Sequence, residues 1–528
     1  MKRLLCLLLL TMIVFLSATA CGTVENADPA SSDTHPAVPG TASGEEATEN
    51  TPQESPTSGV PAFSGDGWTD HVDLDLDDAT VSILTVTRSG EESDLSSERS
   101  YQYINAALTE RDMIVEKRLN CHIITTCYKT DDLKTLQEYV TNQIYLTNGS
   151  GVEPWFDICC APSIAMAQDT AMHGIGWDLS DVGTVDLSRL YWSSGFNEAA
   201  TWGTGQDCHQ YTASGSGSIN FLRSLNLLVY DQTALAEIGA DPVDMVRNGT
   251  WTIDSMLSLV GNRYRDLNGN NQRDLDDSYG FLTGTLTSLS VWAPATRTSA
   301  VYRDGEGYLA LDRDKEADAR NLAAQIKTLY EATGTYVAEA DRDKISDVER
   351  SSDIAVQFGS GHVWMAPVSL FSMENGLHET NVNYGILPLP KLSVQDAYAT
   401  PVETSMAYSY VIPSLLNTEA ARRAGAVLEC MASEGTRLLL PAYCRDILSA
   451  EAFADSQTQE MLSVLYSGVY VDPGELHGTG SLLVFLTHEV LGQDIAGTRG
   501  AFMNETGNKA VERVLTQLNS LYRENKDN

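Results

Sequence analysis

TVSILTVTR, residues 80–88, alternates β-branched with small polar side chains and reads as a first strand. Working outward, residues 101–119 predict a helix, with Ile104, Leu108, Ile114, Val115 and Leu119 as its apolar positions. Residues 121–128 predict a second strand and residues 156–161 a third. Between them, residues 131–146 carry Leu133, Leu136, Val140 and Ile144 near helical spacing. This strand–helix alternation builds a mainly parallel α/β sheet. Residues 220–230 then read as extended and 232–238 as helical, with Gly239 ending the helix. Thr252 suits the N-cap of a helix starting near Ile253. Further helices are expected over 322–331, 417–434 and 509–522. The last sets Val511, Val514, Leu515, Leu518 and Tyr522 on one face. No internal repeat is visible.

The amino end differs from this body. Lys2 and Arg3 precede an apolar run over residues 4–16, then the small residues Ala18-Thr19-Ala20, then Cys21. That order is an export signal, too short to cross a bilayer that needs about 20 apolar residues. The position of Cys21 resembles a bacterial lipoprotein signal, which implies a lipid on Cys21, although Ala18 stands where Leu is usual. A plain secretory signal is the alternative. Residues 22–65 hold six of the 17 prolines and seven acidic residues, with no Lys or Arg. Such a stretch buries too little apolar surface to offset its chain entropy. The expected layout is a signal over 1–21, a disordered acidic tether over 22–66 and a globular domain over 67–528.

Roughly 460 residues in that domain suit two or three lobes rather than one core. Lys plus Arg number 34 against 72 Asp plus Glu, a formal charge of −38. That surface argues against nucleic acid as a partner. Beyond Cys6 and Cys21, the cysteines are Cys121, Cys127, Cys159, Cys160, Cys208, Cys430 and Cys444. They read as mostly free, buried thiols, with Cys159 and Cys160 on opposite faces of a strand. One bridge stays open, and spacing does not choose its partners.

Several catalytic signatures are missing. Gly492 stands where a zinc-protease helix would need a second His after His488-Glu489. The glycines around 214–218 do not make G-x-S-x-G, and neither a P-loop nor a dinucleotide fingerprint occurs. Acid pairs such as Asp276-Asp277 are so common that none stands out as a glycosidase pair.

Two positive signals remain. Residues 266–277, DLNGNNQRDLDD, place Asp266, Asn268, Asn270, Asp274 and Asp277 at positions 1, 3, 5, 9 and 12 of a loop. Gln272 at position 7 offers its backbone carbonyl. Hard Ca²⁺ takes about six to eight oxygens at such spacing. Asn271 replaces the usual Gly, and Asp277 reaches less far than Glu. The expectation is a structural calcium site; a plain polar turn is the alternative. Secondly, Trp192, Trp202, Tyr211, Trp292, Trp364, Tyr408 and Tyr410 fall outside the expected helices. Core packing suits each ring alone. As a group, such rings offer the flat apolar faces on which sugars stack.

Taken in order, Leu228-Val229-Tyr230-Asp231, Ile238-Gly239-Ala240-Asp241-Pro242, Thr250-Trp251-Thr252, Val356 to Gly361, and Tyr384 to Pro390 followed by Val411-Ile412-Pro413 resemble the extracellular solute-binding proteins of sugar-type ABC importers. Tyr-Asp stands at 230–231 where Asn-Lys is usual. The 266–277 loop before Tyr279-Gly280 is similar to a calcium loop of long lipoprotein members. The resemblance implies an α/β fold of the periplasmic-binding-protein type II, with two lobes joined by hinge strands. Lobe 1 would take about 67–225 and 383–437, and lobe 2 about 226–382 and 438–528. It implies a small solute, an oligosaccharide by preference, held in the inter-lobe cleft without catalysis and delivered to ABC permease subunits. Its place would be outside the cytoplasm, tethered to a bacterial cell membrane through a lipid on Cys21. The expected ligand-facing residues are Trp192, Trp202, Tyr211, Trp292, Trp364 and Tyr408. A cell-surface carbohydrate-active enzyme, or a sensing or adhesion lipoprotein, are the competing readings.

Overall fold

The computed structural model describes residues 66–88, 95, 102–130, 138, 139, 142, 155–205, 207–338, 354–493 and 505–525. The signal, Cys21, nearly all of the tether and most of the 131–146 helix lie outside them. In chain order the strands are β1 (Ala79–Arg88), β2 (Cys121–Thr130), β3 (Ile158–Pro162), β4 (Asn226–Asp231), β5 (Tyr264–Arg265), β6 (Ser278–Gly284), β7 (Val301–Arg303), β8 (Leu309–Leu311), β9 (Thr335–Ala338), β10 (Val363–Ser369), β11 (Tyr384–Leu387), β12 (Thr400–Pro401), β13 (Tyr408–Val411) and β14 (Val469–Tyr470). The longer helices are α1 (Gln102–Leu119), α2 (Ser163–His173), α3 (Ile253–Val260), α4 (Glu316–Tyr330), α5 (Thr418–Ile447), α6 (Ser456–Ser467), α7 (Leu483–Leu491) and α8 (Glu505–Asn525). No described helix is long and apolar enough to cross a membrane.

The first sheet runs β13-β3-β1-β2, with β1 parallel to β2 and β3 and the returning β13 antiparallel to β3. β1 is central and is buried continuously from Ile83 to Thr87. Its alternation divides two cores: Val81 and Ile83 join Cys160 on one face, Leu84 and Val86 join Cys159 on the other. The described cysteines after Cys21 form no disulfide, and Cys127 and Cys208 are exposed.

The second sheet runs β11-β4-β10-β6-β5, with β9 also paired to β6. β4 is antiparallel to β10 and β11, whereas β6 is parallel to β10 and β9. The expected lobe boundary at 383 would put Tyr384–Leu387 in the first lobe; their pairing with β4 puts them in this second sheet. The chain crosses between sheets along adjacent segments. Leu225 bridges Val402, Glu403 N donates to Ser224 O at 3.0 Å, and β12 pairs with β14.

Two helices depart from the expected spans. Residues 220–230 are not wholly extended: Ile219–Arg223 is a helix, because the Ser218 side chain caps Phe221 N at 3.1 Å. α5 continues past Glu434 to Ile447 and through Pro441, since Leu439, Leu440, Tyr443, Cys444 and Ile447 remain buried beyond that point. Thr252 caps α3 as expected, in a reciprocal box with Ser255.

Candidate binding cleft

Parallel α/β sheets place binding groups beyond the carboxyl ends of their strands, where loops meet helix starts. β3 ends at Pro162 and α2 begins at Ser163. The 404–407 loop closes over this start: Ala407 O accepts from Ser163 N at 2.7 Å and Thr404 O from Ile164 N at 3.2 Å. Here lies a cleft of about 460 Å³. Its lining is Ile164 after β3, Ser290 beyond β6, Glu403, Thr404 and Ser405 of the crossing, and the 474–483 segment. Ile164 and Ser290 sit on helices that follow a strand of the first and of the second sheet, so elements beyond both sheets contribute.

Its polar side chains are hydroxyl and carboxyl groups, set among apolar surface. Ser405 Oγ donates to Glu403 Oε1 at 2.8 Å. Next to the 474–483 segment, Asp472 is 2 % exposed and accepts from Gly474 N at 2.7 Å, Glu475 N at 3.1 Å and Ser299 Oγ at 2.6 Å. Glu475 is half-buried in the wall itself. Burial holds both the Asp472 and Glu475 carboxyls above the usual range, and the Asp472 charge adds to the rise at Glu475. A Cβ on Gly474 would sit 2.2 Å from Gly480 O, so only glycine lets these two turns close the wall. Ser163 Oγ, fully buried beside Ile164, has no hydrogen-bond partner among the described residues. Sequence reading passed over this set. Isolated Ser, Thr and Glu residues in glycine-rich loops carry no periodic signal, and only folding brings them together.

The aromatic residues singled out from the sequence lie elsewhere, and none of the six lines this cleft. Trp192 is buried and donates Nε1 to Glu429 at 3.0 Å. Trp202 is buried under the Arg303 guanidinium, 4.8 Å from its ring, and stacks on Tyr522 of α8 at 4.9 Å. Tyr211 meets the same Tyr522 edge-on at 6.3 Å. Thus Trp202 and Tyr211 do come together, around the carboxyl-terminal helix. Trp292 is fully buried against Phe281, Trp364 is half-buried under Arg263, and Tyr408 is buried opposite Pro162. Large rings are drawn into these cores by the apolar area they bury.

The 266–277 loop is an interlocked turn. Asp266 accepts from Gly269 N at 2.6 Å and Asn271 N at 2.9 Å; Asn268 accepts from Asn270 N and Asn270 from Gln272 N. Asn271 takes a positive φ of 56°, as its place in the motif requires. Asp274 accepts from Asn270 Nδ2 at 2.8 Å, which holds its carboxyl below the usual range. Asp277 is fully buried and accepts from Leu267 N at 3.1 Å and Tyr264 OH at 3.0 Å. Among the described residues no three His, Cys, Asp or Glu side chains are gathered as metal ligands. Hard oxygen donors of the kind calcium takes therefore share one short loop, turned toward neighbouring N–H groups.

No protein-family model and no curated protein sequence matches the chain. Solved structures do. A solute-binding protein of an ABC transporter from Agrobacterium radiobacter K84, in complex with ribitol, is 13% identical. It covers 85% of this chain and 100% of its own, at a TM-score of 0.46. MalX from Streptococcus pneumoniae, in complex with maltopentaose, is 15% identical and covers 83% of this chain and 99% of its own, at 0.44. UgpB from Mycobacterium tuberculosis, in complex with glycerophosphocholine, is 14% identical and covers 83% and 98%, at 0.45. At such identities and scores the likeness carries no ligand across; the strand order and the cleft stand on their own.

Proposed function

We propose that this protein is a solute-binding component of an ABC importer. It captures a small, hydroxyl-rich solute between two α/β lobes and hands it on unchanged. The observation that carries this reading is the cleft of about 460 Å³, lined by segments that follow strands of both sheets beside adjacent chain crossings. Crossings of this kind let lobes close over a ligand as rigid bodies. Closure signals to a permease only if the solute binds the closed form better than the open one. Hydroxyl and carboxyl groups in the lining suit the donors and acceptors of a sugar or polyol, an oligosaccharide by preference. The charge, apolar run and small residues before Cys21 support a place outside the cytoplasm, on a lipid tether at Cys21. The 266–277 loop, with Asp266, Asn268, Asn270, Gln272, Asp274 and Asp277, would hold a structural calcium ion.

A second reading has one observation behind it. Glu403 and Glu475 share the cleft, and Glu475 is held toward its protonated form, as a glycosidase acid would be. One experiment separates the two. The soluble domain is screened against neutral and charged oligosaccharides by thermal shift, and the same mixtures are analysed for products after long incubation. A stabilising glycan recovered intact, with contraction of the scattering profile, supports capture. Cleaved product supports hydrolysis. Neither stabilisation nor contraction with any solute removes the capture reading.

A further inference from the structure

The same cleft carries an inference about the class of solute, which rests on the capture reading above. We propose that the cleft selects solutes bearing a protonated amine, an amino sugar above its neutral or acidic counterpart, with Glu403 and Glu475 receiving the ammonium group.

The first ground is the lining. Two carboxyl groups line the cleft, Glu403 from the crossing and Glu475 from the 474–483 segment, together with the hydroxyls of Ser290, Thr404, Ser405 and Ser481. No Lys, Arg or His is among the described residues that line it. A phosphate or uronate would find no countercharge there, whereas an ammonium would find two.

The second ground is the start of α2. A helix start ordinarily favours anions through its free N–H groups. Here the first two already donate to Ala407 O and Thr404 O. With those N–H groups used, the helix start offers an anion little; the Ser163 hydroxyl beside them is buried and is not among the residues that line the cleft.

The third ground is how the carboxyls are held. Asp472 accepts from Gly474 N, Glu475 N and Ser299 Oγ, so it is fixed as a negative neighbour to Glu475. Burial and this neighbour both disfavour a second anion at Glu475. An arriving ammonium supplies the missing countercharge; the Glu475 proton then leaves to solvent and the charges balance. A net charge of −38 also raises the local concentration of cations around the molecule.

The test uses the soluble domain and four probes: the β-1,4-linked glucosamine disaccharide, its N-acetylated counterpart, digalacturonate and spermidine. Isothermal calorimetry at neutral pH should give the amine disaccharide an affinity about tenfold above the acetylated one, with no binding of digalacturonate. Glu475→Gln and Glu403→Gln keep the side-chain shape, and each should erase most of that preference while the ligand-free melting temperature holds. Spermidine binding alone would keep the amine preference and remove the sugar. Equal or tighter binding of the acetylated disaccharide or of digalacturonate overturns the amine preference while leaving capture intact. Silence from every probe counts against both.

Discussion

Arg223 and Glu374 form a two-pronged buried ion pair, with Nε to Oε1 and Nη2 to Oε2 both at 2.7 Å. Tyr443 of α5 donates its hydroxyl to the same Glu374 Oε1 at 2.7 Å. Arg223 ends the helix that leads into β4, and Glu374 follows β10, so the pair fastens the first crossing to the second sheet and to α5. Removing one partner leaves a charge buried without its mate, which typically costs about 3–5 kcal/mol. Arg223→Met and Glu374→Leu should each lower the unfolding free energy by that order. The double substitution should cost less than the sum of the two. Denaturant titrations measure both; a single substitution costing under about 1 kcal/mol would sink the claim, that being the range of exposed pairs.

The elements legible in the sequence were those with strong periodicity. The alternation of residues 80–88 gave β1, and the Thr252 cap gave the start of α3, because both signals are local. The Asn220 segment misled because one capping serine overrode an apolar run that suits a strand equally well. α5 outran its expected end because tertiary burial of Tyr443 and Ile447 outweighed the cost of Pro441. The cleft was not legible. Ile164, Ser290, Glu403 and Glu475 lie far apart in sequence, and their nearness is a product of topology. The aromatic residues were conspicuous in sequence for the same reason that they are buried: they carry the most apolar area.

Ser163→Ala separates folding from binding. The Ser163 hydroxyl is buried with no partner among the described residues, and a buried unmatched polar group costs about 1–3 kcal/mol. Removing it should leave ligand-free stability unchanged or raised. Ser163 is fully buried and does not line the cleft, so the same change should leave the affinity for a cleft-binding disaccharide unaltered. A fall in ligand-free stability would show that the Ser163 hydroxyl serves the fold.

Calcium at the 266–277 loop makes a thermal prediction. An ion that binds only the folded chain adds about 2.7 kcal/mol when present at 100 times its dissociation constant. Melting temperature should rise on adding calcium and fall back with a chelator, with magnesium far less effective because it resists dehydration. Asp277→Asn should abolish the rise. It should also lower stability without calcium, because Asp277 accepts from Leu267 N and Tyr264 OH inside the loop. Identical melting with calcium and with chelator would remove the ion from the proposal.

Glu429 gives the last prediction, and its sign follows from burial. The side chain is 1 % exposed and accepts from Tyr191 OH, from Trp192 Nε1 at 3.0 Å and from Asp186 N at 3.1 Å. Burial pushes its pKa from 4.5 up to about 7, against the pull of those donors. Between those values the folded chain keeps a proton that the unfolded chain has released. Stability attributable to this group is therefore greatest below 4.5, falls as pH rises toward about 7, and is level above it. Glu429→Gln has no proton to lose. The stability of the native chain relative to this variant should drop across that window by at most roughly 3 kcal/mol, the equivalent of such a shift. Urea titrations of both proteins at several pH values give the difference directly. If the two stability curves run parallel from mildly acidic to neutral pH, Glu429 does not retain its proton in the folded chain. Its contacts with Tyr191 and Trp192 would then be those of an ionised carboxylate.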